Sequence, residues 1–175
     1  FVAPNNIGNW CDIVDGQGGP AQEAQALVVY SDYANGNHND GNLVESNVFQ
    51  EQVVPAGATG MWTFNFDAKL GNLGGASTAL AFIKTLDPNA GWAMTNFITV
   101  DTTNIPTTWG SYSLTIDVTG LDGQILQIGF STTATNYDPC GVFYDNIAFS
   151  PDGTVATDEV TLDGISTAVT PAAVI

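Results

Sequence analysis

Met61-Trp-Thr-Phe-Asn-Phe-Asp-Ala-Lys-Leu70 alternates without a break: Trp62, Phe64, Phe66 and Ala68 fall on one side, Thr63, Asn65, Asp67 and Lys69 on the other. A period of two with one apolar side is the signature of a strand whose one face is buried. Two further stretches follow the same rule. Tyr112, Leu114, Ile116 and Val118 alternate with Ser113, Thr115 and Asp117, and Leu126, Ile128 and Phe130 alternate with Gln127 and Gly129. Strands that are apolar on one side and Asn, Gln, Thr or Asp on the other pack as two antiparallel sheets face to face.

Outward from these stretches, strands are expected near Ala26–Tyr33, Asn47–Val54, Thr78–Leu86, Phe97–Asp101 and Gly141–Phe149, separated by Gly, Asn, Asp and Pro. Strands at even spacing with turn-rich links predict an all-β, antiparallel β-sandwich of jelly-roll type. One stretch, Pro20–Ala26, has helix-friendly composition and is expected to make one or two turns. The sandwich domain is assigned to residues 1–150. Residues 151–175, after the turn Ser150-Pro-Asp-Gly153, are Thr/Ala/Val-rich without an aromatic. They read either as a linker or as one or two extra strands docking on this domain or a neighbour.

Composition narrows the partners. The 175 residues carry 18 acidic side chains, two lysines (Lys69, Lys84) and no arginine, for a net charge of −16. Binding a nucleic-acid duplex requires cations against phosphate, so that class is excluded, and anionic membranes are disfavoured on the same ground. No apolar run approaches the ~20 residues of a membrane helix. The chain starts at Phe1 without a signal-like segment, which reads as a removed leader or an excised domain. Two cysteines, Cys11 and Cys140, in a Lys-poor, Asn/Thr/Gly-rich chain suggest a secreted protein with one disulfide, the alternative being two unrelated buried thiols. The bridge is expected because the first and last strands of a jelly roll are usually neighbours.

Three stretches, in order, carry a resemblance. Phe49-Gln-Glu-Gln52-Val-Val-Pro-Ala-Gly57 leads into Trp62-Thr-Phe-Asn-Phe-Asp-Ala-Lys69, Ala81-Phe-Ile-Lys84-Thr-Leu-Asp-Pro88 follows, and Val142-Phe-Tyr-Asp145-Asn146-Ile147 closes. Over residues 45–150 this resembles the jelly-roll carbohydrate-binding modules of families 4, 9 and 22. The opening Asn-Gly-Gly-Phe-Glu-type stretch of those families has no counterpart here. The resemblance implies a structural calcium at Asp145. The residues point the same way, since a carboxylate beside Phe143, Ile147 and Phe149 needs a partner and only two lysines exist. The Asp/Asn-rich loop with Asp32, Asn37 and Asp40 is a second calcium candidate, or a solvated turn.

Catalysis finds little support. The one histidine, His38, lies in a Gly/Asn stretch, and neither a Gly-x-Ser-x-Gly elbow nor a His-Glu-x-x-His motif is present. Glu45 and Glu51 share a strand side but stand ~20 Å apart on an extended chain, too far for a glycosidase pair. Sugar recognition uses aromatic faces plus amides and carboxylates. Trp92, in the turn-rich Asp87–Trp92 connection, is a platform or a lid on the core, and Tyr33 and Tyr137 lie at loop edges. Gln50, Gln52, Asn65, Asp67 and Gln127 are expected to share one polar sheet face that bonds hydroxyls. Trp62 and Trp109 are assigned to packing. The expectation is a secreted, extracellular or cell-surface, non-catalytic module for a neutral polysaccharide, β-glucan or xylan-like. The alternative is a structural subunit of an extracellular filament or surface layer, self-associating through residues 150–175.

Overall fold

The structure, a computed structural model, describes residues 11–30, 44–134, 140–152, 159–162 and 165–168. In chain order the strands are β1 (Cys11–Asp15), β2 (Gln25–Val29), β3 (Val44–Val53), β4 (Met61–Leu73), β5 (Thr78–Asp87), β6 (Ala93–Asp101), β7 (Gly110–Asp117), β8 (Ile125–Ala134), β9 (Cys140–Pro151), β10 (Glu159–Leu162) and β11 (Ile165–Ala168). A five-stranded sheet runs β1-β2-β9-β4-β7 and a four-stranded sheet runs β3-β8-β5-β6. All pairings are antiparallel. The protein is an all-β sandwich of jelly-roll type, as the alternation predicts. β10 and β11 pair with each other as a separate two-stranded sheet.

The core is built from the inward side of each alternating strand. Phe64, Phe66 and Ala68 of β4 meet Leu126, Ile128 and Phe130 of β8 and Ala81 and Ile83 of β5. Tyr144 of β9 stacks on Phe130 with centroids 3.7 Å apart, and its hydroxyl is paired with that of Thr102 at 3.1 Å. Burial drives the Tyr144 phenol far above its ordinary pKa, so it stays neutral and serves as a buried polar pin. Each ring of this size, taken out of water, contributes about 1.5–3 kcal/mol.

Three expectations are corrected. Pro20–Ala24 forms bends, and β2 begins at Gln25, so there is no helix in that stretch; among the described residues the one helical element is the 3-10 turn Pro88–Ala90. The Gly16–Gly19 stretch before it and the pairing of β2 with β1 and β9 override a weak local preference. Cys11 is a buried free thiol rather than half of a bridge to Cys140. The sheet order gives the reason: β2 lies between β1 and β9. Two strand spacings are roughly 10 Å, beyond the ~7 Å that a disulfide spans.

The third correction concerns the shared polar face. Residues paired directly across an antiparallel ladder project to the same side. Gln50 pairs with Ile128 and Gln52 with Leu126, so both glutamines project toward the inter-sheet space. Gln127 pairs with Glu51 and Lys84 and projects outward from the four-stranded sheet. Asn65 and Asp67 lie on β4, on the outer side of the other sheet. The five residues occupy three separate surfaces.

Candidate functional site

The outer side of the four-stranded sheet is assembled by the register. One row across the strands is Glu51-Gln127-Lys84-Phe97, the next is Phe49-Gly129-Phe82-Thr99, and a third is Val53-Ile125-Leu86-Met94. Phe49 is 44% exposed and Phe97 is 52% exposed, with Phe82 buried between them and 6.1 Å from Phe97 by ring centroid. Val53 and Met94 are exposed on the same side. Gly129 sits at the centre of the patch. A Cβ there would lie 2.6 Å from Phe49 Cβ, so only glycine lets the Phe49 strand approach this closely.

Polar groups are interleaved with the rings. Gln127 donates from Nε2 to Glu51 at 2.6 Å, while its buried Oε1 has no hydrogen-bond partner. Asn47 donates to Glu45 at 2.9 Å. Lys84 Nζ lies 5.5 Å from the Phe82 ring centroid and 6.0 Å from that of Phe49. The surface is therefore apolar in its rings and hydrogen-bonding in its gaps, with a buried acceptor at Gln127.

Trp92 stands at the end of this sheet, just before β6. It is 60% exposed, so most of its ring stands clear of the core. Its backbone is left-handed, φ 66°, and its N–H donates to the Asp87 carbonyl at 2.8 Å. Trp62 packs on Phe149 with ring centroids 5.2 Å apart and stays half-buried, and Trp109 donates to the Gln17 carbonyl at 3.0 Å; both make the packing contacts expected of them. Tyr33, Tyr137, Asp32, Asn37 and Asp40 lie outside the described residues. Sequence reasoning missed Phe49, Phe97 and Met94. The available signal was Ala81-Phe82-Ile83, where both sides of one strand are apolar and a second hydrophobic face is implied.

The outer side of the five-stranded sheet is built differently. Residues 16–24 cross it and are tied down at several points. Lys69 donates to the Gln17 carbonyl at 2.6 Å, Asn146 to the Ala21 carbonyl at 3.1 Å, and Gln22 to Asp67 at 2.6 Å. Asp67, 8% exposed, also accepts from Ser111 at 2.6 Å and Asn146 at 2.7 Å. Burial by itself raises the Asp67 pKa, but these three hydrogen bonds outweigh it and hold the carboxyl below its ordinary value. Asp145 pairs with Asp67 in the ladder, and a bulge with Asn146 at φ 48° follows it. Asp145 follows inward Tyr144 and opposes Asp67, so it faces outward rather than into the core, and the bulge after it returns Ile147 and Phe149 to the inner side. Its Oδ1 accepts from the Asn146 N–H at 2.7 Å, while its Oδ2 is buried without a partner, as is Gln22 Oε1. Among the described residues no three acidic, His or Cys side chains converge on one point.

The fold, an all-β sandwich of two antiparallel sheets, has counterparts among solved structures. Among solved structures the chain is similar to the family 30 carbohydrate-binding module of a cellulosomal cellulase of Clostridium thermocellum (TM-score 0.53, 14% identity, covering 86% of this chain and 87% of that one). It is also similar to a family 16 carbohydrate-binding module (TM-score 0.50, 11% identity, covering 82% and 87%). A third similar structure is the enzymatically active domain of tailspike protein 4 of bacteriophage CBA120 (TM-score 0.56, 16% identity, covering 83% of this chain and 20% of that one), so the chain spans about a fifth of that protein. No family model and no curated protein matches the sequence. At these identities the likeness is one of fold. Among the described residues no helix is long and apolar enough to cross a membrane.

Proposed function

We propose that the protein is a secreted, non-catalytic carbohydrate-binding module that holds a neutral polysaccharide, β-glucan or xylan-like, on the outer face of its four-stranded sheet. The observation that carries this reading is the exposed pair Phe49 and Phe97 flanking Gly129 and buried Phe82, with the unpartnered Gln127 oxygen beside them. Sugar rings have apolar faces that pack on aromatic rings and equatorial hydroxyls that need donors and acceptors. Trp92 extends the platform at the sheet's end. The carboxylates of this face support a non-catalytic role. Glu45 and Glu51 are six residues apart on one strand, and Asp101 lies on β6 at the opposite edge. These separations are above ~14 Å, whereas glycoside hydrolysis needs ~5–10 Å. The test is calorimetry against soluble β-glucan and xylan, wild type beside Phe97→Ala. Heat with one of these glycans that is lost in the variant supports the reading. No heat with either in the wild type sinks it.

The covered face fits a hard cation. Its open donors are oxygens only, the buried Oδ2 of Asp145 and Oε1 of Gln22, and two carboxylates face each other across the ladder at Asp67 and Asp145. Like charges directly opposite destabilise a sheet, and calcium takes carboxylate and amide oxygens. In this reading Asp145 and Gln22 hold a structural Ca2+ that pins residues 16–24 onto the sheet.

A further inference from the structure

The mouth between the two sheets, beside β3, is separate from both outer faces. The inward side of β3 begins as core, with Ser46 buried and Val48 packed on the hydrophobic cluster. At Gln50 and Gln52 the same side turns to two exposed amides. The cause lies in the facing sheet. β2 pairs with β9 only along Val142–Tyr144, so the β9 stretch carrying Ile147 and Phe149 has no β2 partner beyond it. A cleft of about 160 Å³ opens there, lined by Gln50, Gln52, Trp62, Leu126, Ile147 and Phe149. The Trp62 and Phe149 rings are 5.2 Å apart and tilted by 37°. No charged side chain lines the cleft. Neither glutamine side chain hydrogen-bonds another described residue.

We propose that this cleft is a second carbohydrate site, distinct from the open face, which takes a single terminal pyranose of a neutral glycan. The proposal rests on the carbohydrate-binding reading of the module. Two amides present donors and acceptors together, which is what a ring of vicinal hydroxyls requires. Trp62 and Phe149 offer an apolar wall for the ring face. The volume is below the ~300 Å³ where pockets for larger ligands begin, which matches a single ring at a chain end. The absence of charge along the lining excludes uronic acids and amino sugars as the favoured occupants. The ligand gives the two inward amides of β3, which follow Ser46 and Val48 on the same side, hydroxyl partners that no described residue supplies.

The experiment is a two-dimensional NMR titration of the whole chain, with side-chain amide and indole signals assigned. The probes are the methyl β-glycosides of glucose, xylose and galactose, followed by cellohexaose and xylohexaose. The expected result is movement of the Gln50 and Gln52 amide signals and the Trp62 indole signal with at least one methyl glycoside. In Phe97→Ala these movements persist with an affinity within about twofold of wild type. In Gln50→Leu/Gln52→Leu, which keeps the volume, cleft affinity falls by about tenfold or more while open-face affinity stays within about twofold. A hexasaccharide that moves Gln127 and Phe97 while every probe leaves the cleft signals still overturns the second site and leaves the module reading intact. Silence at both places overturns both. Contacts from residues 153–175 filling the cleft also overturn it. The wild-type shift map carries the test even where the double variant fails to fold.

Discussion

The two outer faces of this sandwich arise from the same alternation and end as opposites. On the five-stranded sheet, Asp67 gathers Gln22, Ser111 and Asn146, and residues 16–24 are fastened over it. On the four-stranded sheet, Phe49, Phe97, Val53 and Met94 stand exposed with no segment of the described chain across them. A solvent-side position that is polar, buried and fully hydrogen-bonded serves the fold, because removing one partner orphans several donors. A solvent-side position that is apolar and bare contributes little to folding and is a surface for something else. The difference teaches that an outward-facing residue is to be judged by what covers it, not by its polarity. It also separates two quantities: changes on the covered face should move stability alone, and changes on the open face binding alone.

The largest effect expected is from Asp67→Ala. It leaves the donors of Gln22, Ser111 and Asn146 facing an empty site, and a loss of about 3 kcal/mol or more is expected. Glycan affinity should stay within about twofold, since the rings lie on the other sheet. The pH dependence follows from the lowered Asp67 pKa. A carboxyl whose native pKa is depressed contributes stability in full above its unfolded value of about 3.9, and loses it as pH falls through the native value. Melting temperature should therefore drop on acidification below about pH 4, and the Asp67→Ala curve should be flatter there. A variant as stable as wild type would erase the contrast between the faces.

Calcium sharpens the covered side further. Bound only by the native state, it should add about 2.7 kcal/mol at a hundredfold excess over Kd. Thermal melts in excess Ca2+ and in excess chelator should differ for the wild type and coincide for Asp145→Ala. Coincident melts in the wild type remove the cation and leave Asp145 Oδ2 as a plain unsatisfied oxygen. On the open side, Phe97→Ala should weaken glycan binding by about 2 kcal/mol, near thirtyfold, because it removes a half-exposed ring from the platform. Its melting temperature should scarcely change. A large fall in stability with unaltered binding would place Phe97 with the core instead.

How far these assignments were legible depends on range along the chain. Met61–Leu70 fixes its own inward and outward sides, because alternation is local, and Phe64 and Phe66 are core as read. Strand order is not local. Cys11 and Cys140 were expected to be neighbours, but β2 pairs with β9 through Leu27–Val29 and fills the space between. In β3 the run Val48-Phe-Gln-Glu-Gln52 has no clean alternation, so nothing local tells whether Gln50 projects with Ile128 or with Gln127. Only the cross-strand register decides. Gln22 was invisible for a related reason: its partner Asp67 is 45 residues away. Asp145 was expected as a charge buried beside Ile147 and Phe149; it opposes Asp67 on the outer side instead, because the bulge after it reverses the alternation on which that expectation relied.

The finest test of the contrast is at Trp92. This residue follows Gly91, and both have φ 66°. Glycine takes that conformation freely, whereas a bulky side chain there costs roughly 1 kcal/mol. Its ring gives little in return to the fold, being 60% exposed. The left-handed backbone lets the Trp92 N–H close the turn on the Asp87 carbonyl, which any residue tolerating that φ would do; a bulky, uncovered indole at such a position fits a ring held out for a ligand. Trp92→Gly relieves the strain and deletes the ring together. The two readings then diverge in sign. If the indole is part of the platform, the variant should melt at or slightly above the wild-type temperature, gaining up to about 1 kcal/mol of stability, while its glycan affinity falls. If the indole packs against the sheet more firmly than its exposure indicates, the variant should melt lower and bind unchanged. Paired melting and calorimetry on this one variant separates the outcomes, and a rise in stability together with a fall in affinity would tie the residue to the open face.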